Sequence, residues 1–180
     1  MWPKLVLLDR DGVINADSPD FILEPDAFEP LPGSLGAIAK LSAAQVPVMV
    51  CTNQSAVGRG LITESTLASI HHRLQARVAE AGGQVTAVFH CPHGPEEGCR
   101  CRKPEPGLIE QALERQGVRP EEAVFIGDSM RDLEAAGRIG VPAWLVRTGN
   151  GKQTESMTTA RVPTFDDLAS AVESILENRR

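Results

Sequence analysis

The stretch Val6–Asn15, VLLDRDGVIN, runs from an apolar segment straight into two aspartates one residue apart, with a glycine behind them. Lys4 to Leu8 is apolar without interruption after a single charge, the pattern of a strand covered on both faces rather than the alternation of a half-exposed one. Asp9 and Asp11 close that strand. On an extended segment a spacing of two puts both carboxyl groups on the same side, with Arg10 turned away. An Asp-Gly pair alone is also an ordinary turn, so its meaning depends on what the rest of the chain brings to the same place.

Working outward, a loop rich in Pro, Asp and Glu spans residues 16–33. Leu35, Ile38 and Leu41 then recur at helical spacing, and Val46 to Cys51 returns to a strand. Thr63 is placed to cap a long helix with Leu67, Ile70, Leu74, Val78 and Ala81 on one face, stopped by Gly82-Gly83. Val85 to Phe89 reads as a third strand, Leu108 to Gly117 as a helix, and Ala123 to Ile126 as a fourth strand. A helix from Ser129 to Arg138, a fifth strand at Ala143 to Val146, and a helix turning Phe165, Leu168, Val172, Ile175 and Leu176 inward complete the pattern. Gly149 to Thr159 reads as a mobile surface loop. Strands alternating with helices imply a mainly parallel sheet with helices on both faces, because parallel neighbours need crossover connections. The fold class is α/β, and one domain over residues 1–180 is expected, since this length and 42% hydrophobic content suit a single core.

Eighteen basic against twenty-four acidic side chains give a net charge of −6 and a pI near 5.2. That sign is wrong for a surface that gathers nucleic-acid phosphates, so no nucleic-acid partner is expected. No run approaches a secretory h-region or a membrane span, so the expected location is the cytoplasm without a membrane partner. With the apolar stretches spent on the core and no stripe left for a dimer, a monomer is expected.

In a parallel sheet, ligands bind beyond the carboxyl ends of the strands. There lie Asp9 and Asp11, then Thr52-Asn53-Gln54 after the second strand, Arg102-Lys103 beyond the third, and Asp128 after the fourth. Three carboxylates at neighbouring strand ends repel one another unless a cation joins them, and hard oxygen ligands suit Mg²⁺. Lys103 and the Thr52 hydroxyl supply the positive charge and donor that an anion held against such a cluster needs, and the natural anion is a phosphoryl group.

Three of the four cysteines crowd into HCPHGPEEGCRCRKP, residues 90–104. Cys91, His93, Cys99 and Cys101 form a set of four soft ligands suited to tetrahedral Zn²⁺, with no position left open, and such a closed site is structural. A metal there would fix Arg102 and Lys103, which follow at once. Cys51 reads as a small core residue, and His71 and His72 as solvated or partly packed helix residues.

DRDGV at 9–13, the strand-ending Thr52, Lys103, and GDSMRD at 127–132 resemble, in order, the four motifs of the haloacid dehalogenase-like (HAD) phosphohydrolases. The resemblance covers nearly the whole chain. It implies a Rossmann-like domain in which Asp9 is the nucleophile that forms an aspartyl phosphate and Asp11 the general acid and base. It also implies that Thr52 and Lys103 stabilise the transferring group, and that Mg²⁺ is held by Asp9, the Asp11 main-chain carbonyl and Asp128. Asp132 is expected to orient neighbours or cap a helix rather than touch metal.

The cysteine loop is similar to that of a narrower branch containing the D,D-heptose 1,7-bisphosphate phosphatases and the histidinol-phosphate phosphatases, and TNQSAVGRG at 52–60 looks more like the heptose members. The branch has no large cap domain. It implies a small phosphorylated sugar as partner, release of the 7-phosphate, and heptose 1-phosphate for lipopolysaccharide or related glycoconjugates. Substrate contacts are implied at Asp17, Ser18, Pro19 and Asp20, at Thr52 with Asn53, Gln54 and Ser55, and at Arg102 with Lys103. Arg102 and Arg59 could take the second phosphate, and Asp17 and Asp20 sugar hydroxyls. Ser129 stands where some relatives carry Lys, which leaves one substrate contact and the anomer open. Histidinol phosphate is the rival substrate, and a non-catalytic zinc-loop binding module the rival of another class.

Overall fold

Leu5, Val6, Leu7 and Leu8 are all fully buried in a computed structural model that describes residues 2–177, because their strand sits in the middle of the sheet. Met1 and residues 178–180, the ends of the expected 1–180 domain, lie outside the described residues. Six parallel strands, β1 (Leu5–Leu8), β2 (Val48–Asn53), β3 (Ala87–Cys91), β4 (Ala123–Gly127), β5 (Ala143–Val146) and β6 (Thr164–Phe165), are ordered β3-β2-β1-β4-β5-β6. The register pairs Leu5 with Ala123 and Leu7 with Phe125 on one side of β1, and Val6 with Val48 and Leu8 with Val50 on the other.

Alternation along β1 splits the core into two layers, as a doubly covered sheet requires. Val6 and Leu8 pack with Val48, Val50, Val124 and Ile126 against α1 (Ser34–Ala43), α6 (Leu168–Glu177) and the C-terminal half of α2 (Glu64–Glu80). Leu5 and Leu7 pack with Met49, Cys51 and Phe125 against α3 (Gly107–Gln116) and α4 (Met130–Gly137). Each such fully buried Leu or Ile contributes roughly 1.5–3 kcal/mol relative to exposure. A smaller cluster of Ile22, Ala56, Ile62, Leu67 and Ile70 fastens the 16–33 loop to the start of α2 beside the strand ends. That loop forms a wall over the site without becoming a separate cap.

Thr63 caps α2 as expected, its hydroxyl accepting from the Thr66 amide at 3.0 Å. Elsewhere the structure departs from the sequence reading. β3 lies two residues later than Val85–Phe89, since an edge strand, half-buried at four successive residues from Ala87 to His90, lacks the continuous apolar run that marks a central one. Phe165 belongs to β6, its ring 4.9 Å from that of Trp144, and not to the last helix. Gly149–Thr159 is not a mobile loop: α5 (Gly151–Met157) occupies most of it. Its order comes from outside the segment, because the Thr154 hydroxyl donates to the Asp128 carbonyl at 2.8 Å and Gly151 lies so close over the Val146 carbonyl that a Cβ would collide with it. Of the two histidines expected to be solvated or partly packed, His72 is exposed and His71 is buried.

The chain runs β1, β2, β3 toward one edge and then crosses back to place β4 on the other side of β1. This reversal opens a crevice between the ends of β1 and β4. Among the described residues, no helix is long and apolar enough to cross a membrane.

Candidate active site

Asp9 leaves β1 with its amide still tied to the Ile126 carbonyl of β4 at 3.1 Å, so the first carboxylate is positioned by the sheet itself. Gly12 then turns the chain with φ of +82°, a conformation that disfavours any side chain. A Cβ at Gly12 or at Gly149 would run into the Asp128 carboxylate, so both glycines let backbone close around that group. The Thr148 hydroxyl joins the two turns by donating to the Gly12 carbonyl at 2.6 Å.

Asp9, Asp128 and Asp132 each bring a carboxylate oxygen within 4.8 Å of the others. Lys103, fully buried, reaches into the group with its Nζ 2.9 Å from Asp9 Oδ1 and 2.6 Å from Asp132 Oδ1. Both contacts are close ion pairs rather than well-aligned hydrogen bonds. Burial pushes the Asp9 carboxyl up to about 8 despite the opposing Lys103 charge, with Asp132, Asp128 and Asp11 adding to the rise. Burial, then Asp132, pushes Asp128 up to about 6, although Asn150 donates its amide and side-chain N–H to Asp128 Oδ2 at 2.8 and 3.2 Å. Burial works against the Lys103 charge, yet Asp132 and then Asp9 hold the ammonium well above its ordinary value. Burial and mutual repulsion thus oppose ionisation of Asp9 and Asp128 beside a single ammonium, and further positive charge in this largely dry space would restore them as carboxylates. A divalent cation with oxygen ligands fits that need and the donor chemistry.

Asp132 caps α4: its Oδ2 accepts from the Asp128 amide, the Ser129 amide and the Ser129 hydroxyl at 3.2, 3.0 and 2.8 Å, while Oδ1 faces Lys103. The expectation of an orienting, capping residue matches this arrangement. Asp11 looks elsewhere. Arg10, expected to turn away, is fully buried and doubles back, its Nε and Nη2 lying 3.1 and 2.9 Å from Asp11 Oδ1. The guanidinium has no route to water beneath the sheet end and takes the nearest carboxylate.

One cleft of about 320 Å³ collects Asp9, Asp11, Asp17, Ser18, Thr52, Asn53, Gln54, Ser55, Arg59, Arg102, Lys103, Asp128 and Ser129. Two expected residues are not in it. Pro19 and Asp20 are exposed at the tip of a turn in which the Phe21 amide bonds the Ser18 carbonyl at 3.2 Å, and this turn swings Phe21 (φ +64°) and Ile22 back into the cleft instead. Asn53 lines the wall, but its side chain is engaged in a reciprocal pair with the Lys103 main chain, both bonds 3.0 Å, and anchors that lysine. Gln54 donates to Asp11 Oδ2 at 2.7 Å and Thr52 Oγ1 at 2.9 Å. Phe21, Ile22, Pro95, Arg131 and Asn150 also line the cleft and escaped the sequence reading. Arg131 had a signal, lying inside GDSMRD, whereas Asn150 sat in a segment read as a loop.

Cys91, His93, Cys99 and Cys101 converge at one side of the cleft. Their sulfur–sulfur separations are 3.0, 3.5 and 3.6 Å, and His93 Nδ1 lies 3.4 and 3.3 Å from Cys91 and Cys101. A tetrahedral zinc with bonds of ~2.3 Å requires edges near ~3.8 Å, so these residues fit the ion with small adjustments, and all three cysteines are free of disulfides. Burial raises the Cys91 thiol, while for Cys99 burial is outweighed by the Arg102 amide and neighbouring thiols, which bring it down to about 7. Arg102 is tied to this cluster twice, its amide to Cys99 Sγ at 3.3 Å and its guanidinium to the His93 carbonyl at 3.0 Å. Arg59 instead lies over the Phe21 ring, 5.7 Å from its centre. His90 is not in the cluster: it pairs with Glu64 at 3.0 Å.

Residues 100–171 match the family model described as "HAD-hyrolase-like". The D-glycero-beta-D-manno-heptose-1,7-bisphosphate 7-phosphatase of Bordetella bronchiseptica is 46% identical over 176 residues, 97% of this chain and 98% of that protein. The protein of the same description from Pseudomonas putida is 47% identical over 174 residues, 96% and 99% of the two chains. The crystal structure of D,D-heptose 1,7-bisphosphate phosphatase from B. bronchiseptica complexed with magnesium and phosphate superposes with a TM-score of 0.94 at 44% identity, covering 97% of this chain and 98% of that one. Similarity of this degree over nearly the whole length of both chains shows a shared fold. The chain therefore belongs to the HAD-like phosphatases, in the family of the D,D-heptose 1,7-bisphosphate 7-phosphatases.

Proposed function

We propose that this protein is a phosphatase that hydrolyses the 7-phosphate of D-glycero-β-D-manno-heptose 1,7-bisphosphate through an aspartyl phosphate on Asp9, leaving heptose 1-phosphate. The observation that carries this reading is the meeting of the Asp9, Asp128 and Asp132 carboxylates with fully buried Lys103 at the β1–β4 crevice. The names of the two relatives, both phosphatases of the β-anomeric heptose bisphosphate, support this substrate and anomer.

Asp9 attacks phosphorus in line, and the bond to the ester oxygen breaks with its electron pair on that oxygen, which takes the Asp11 proton and leaves as the alcohol. Water then attacks the phosphorus of the aspartyl phosphate, gives its proton to the Asp11 carboxylate, and frees Asp9 and inorganic phosphate. Lys103 and Thr52 donate to the phosphoryl oxygens, where charge must be held in place as the bonds change. Mg²⁺ would be held by the Asp9 and Asp128 carboxylates and the Asp11 main-chain carbonyl, and when bound supplies positive charge to the phosphoryl group. Zn²⁺ would be held by Cys91, His93, Cys99 and Cys101 and would keep Arg102 in place. Arg59, Arg102 and Arg131 are the cations available to the distal phosphate; Asp17, Ser18, Ser55, Ser129 and Asn150 are the polar groups available to the sugar hydroxyls.

The test is phosphate release with Mg²⁺ from the β and α heptose bisphosphates, fructose 1,6-bisphosphate and histidinol phosphate. The β heptose ester is expected to give the highest kcat/KM, and Asp9→Asn to abolish turnover in a folded protein. Preference for histidinol phosphate would refute the substrate, and turnover by Asp9→Asn the mechanism.

A further inference from the structure

Asp11 is enclosed by donors alone. Its Oδ1 lies 3.1 and 2.9 Å from Arg10 Nε and Nη2 and accepts from Asn15 Nδ2 at 2.9 Å, while Oδ2 accepts from Arg10 Nη2 at 3.1 Å and Gln54 Nε2 at 2.7 Å. The amide orientations are set by their other bonds. Gln54 Oε1 accepts from Arg10 Nη2 at 3.1 Å, and Asn15 Nδ2 also donates to the Ala16 carbonyl at 2.9 Å. Arg10 and Asn15 are fully buried and Gln54 is 5% exposed, so this shell is built into the core beneath the cleft.

We infer that Arg10, Asn15 and Gln54 form a clamp that aims the Asp11 carboxyl group at the leaving oxygen, which makes Gln54 a positioning residue rather than a sugar contact. The inference rests on the acid–base role proposed for Asp11. A guanidinium and two amide NH₂ groups can only donate toward Asp11. When Asp11 carries its proton, none of the clamp atoms facing it can accept that proton. The O–H must therefore point to the one open side, the cleft, which leaves 22% of the Asp11 side chain exposed. The same bonds return the carboxylate to the same orientation after the proton has left, ready to take one from water.

Leaving-group dependence separates positioning from packing. An alkyl ester, such as the sugar phosphate, needs a proton on its departing oxygen, whereas 4-nitrophenyl phosphate releases a stable phenolate without one. Gln54→Met and Arg10→Lys are expected to lower kcat/KM for the alkyl ester by about tenfold or more, and for the aryl ester by less than about threefold. Asp11→Ala should show the same bias more strongly, and Gln54→Met should add nothing to the alkyl loss in an Asp11→Ala background. Arg10→Lys disturbs a buried pair; should it fail to fold, Gln54→Met decides alone. Equal losses on both esters, or a raised KM for the bisphosphate with the ester bias unchanged, would overturn the clamp. If the wild type released phosphate yet Asp11→Ala treated both esters alike, the acid role of Asp11 would fall and the clamp with it.

Discussion

Replacing Asp132 by Asn changes one atom in a fully buried side chain and should still cost as much as many core truncations. Oδ2 takes three donors from the start of α4, and Oδ1 lies 2.6 Å from the Lys103 ammonium. An amide offers one acceptor and one NH₂ group. With its oxygen at the helix, the NH₂ faces the ammonium; flipped, it faces three N–H and O–H donors. Either orientation sets donor against donor in a dry site. Breaking one side of a buried ion pair costs roughly 3–5 kcal/mol, and because Lys103 keeps Asp9 at 2.9 Å the lower end, about 3 kcal/mol, is expected. Asp132→Ala should lose about 1 kcal/mol more, the contribution of the helix cap. Urea unfolding at pH 7 measures both. Adding Lys103→Met to Asp132→Asn should recover part of the loss, with a coupling of about 2 kcal/mol in the double-mutant cycle. Asp132→Asn within about 0.5 kcal/mol of the wild type, or strictly additive losses, would refute the view that one carboxylate both caps α4 and anchors Lys103.

The Cys99→Ser/Cys101→Ser variant should lose bound zinc, measured by metal analysis, and melt about 5–10 °C lower, as expected when a chain of this size loses a few kcal/mol; full metal retention would count against the thiol–imidazole site. Gly12→Ala forces a side chain onto a left-handed backbone and into Asp128, so phosphatase activity should fall at least a hundredfold and stabilisation by Mg²⁺ in a thermal melt should vanish. His71 remains neutral in the folded protein down to about 3, whereas in the unfolded chain it takes up a proton below about 6.5. Its contribution is thus present above 6.5 and lost as pH falls toward 3, at up to about 1.4 kcal/mol per pH unit. Comparing urea unfolding of His71→Leu with the wild type from pH 7 to 4.5 should show a shallower decline in the variant, and identical slopes would show that the imidazole does not control it.

The local pattern of this chain already determined the alternation of strands and helices, the parallel sheet, the strand ends at which Asp9, Thr52 and Asp128 emerge, and the loop beyond the third strand that carries Lys103. Those features depend on contiguous apolar runs and on the rule that parallel strands present their loops at one edge. The Cys91-x-His93 and Cys99-x-Cys101 spacings likewise put four ligands within a short reach that any compact loop would bring together.

Tertiary structure decided what depends on neighbours distant in sequence. Gly149–Thr159 has little apolar periodicity and looks unstructured until the Asp128 carbonyl receives the Thr154 hydroxyl and Asn150 closes over the Asp128 carboxylate. Pro19 and Asp20 share a loop with Asp17 and Ser18, yet one turn sends the first two to solvent. Arg10 reads as an outward residue on an extended strand, but the chain bends at Gly12 and encloses its guanidinium with Asp11 and Gln54, 44 positions away. Side-chain direction at a strand end is set by what packs above it, and a charge with no path to water must find its partner inside the protein.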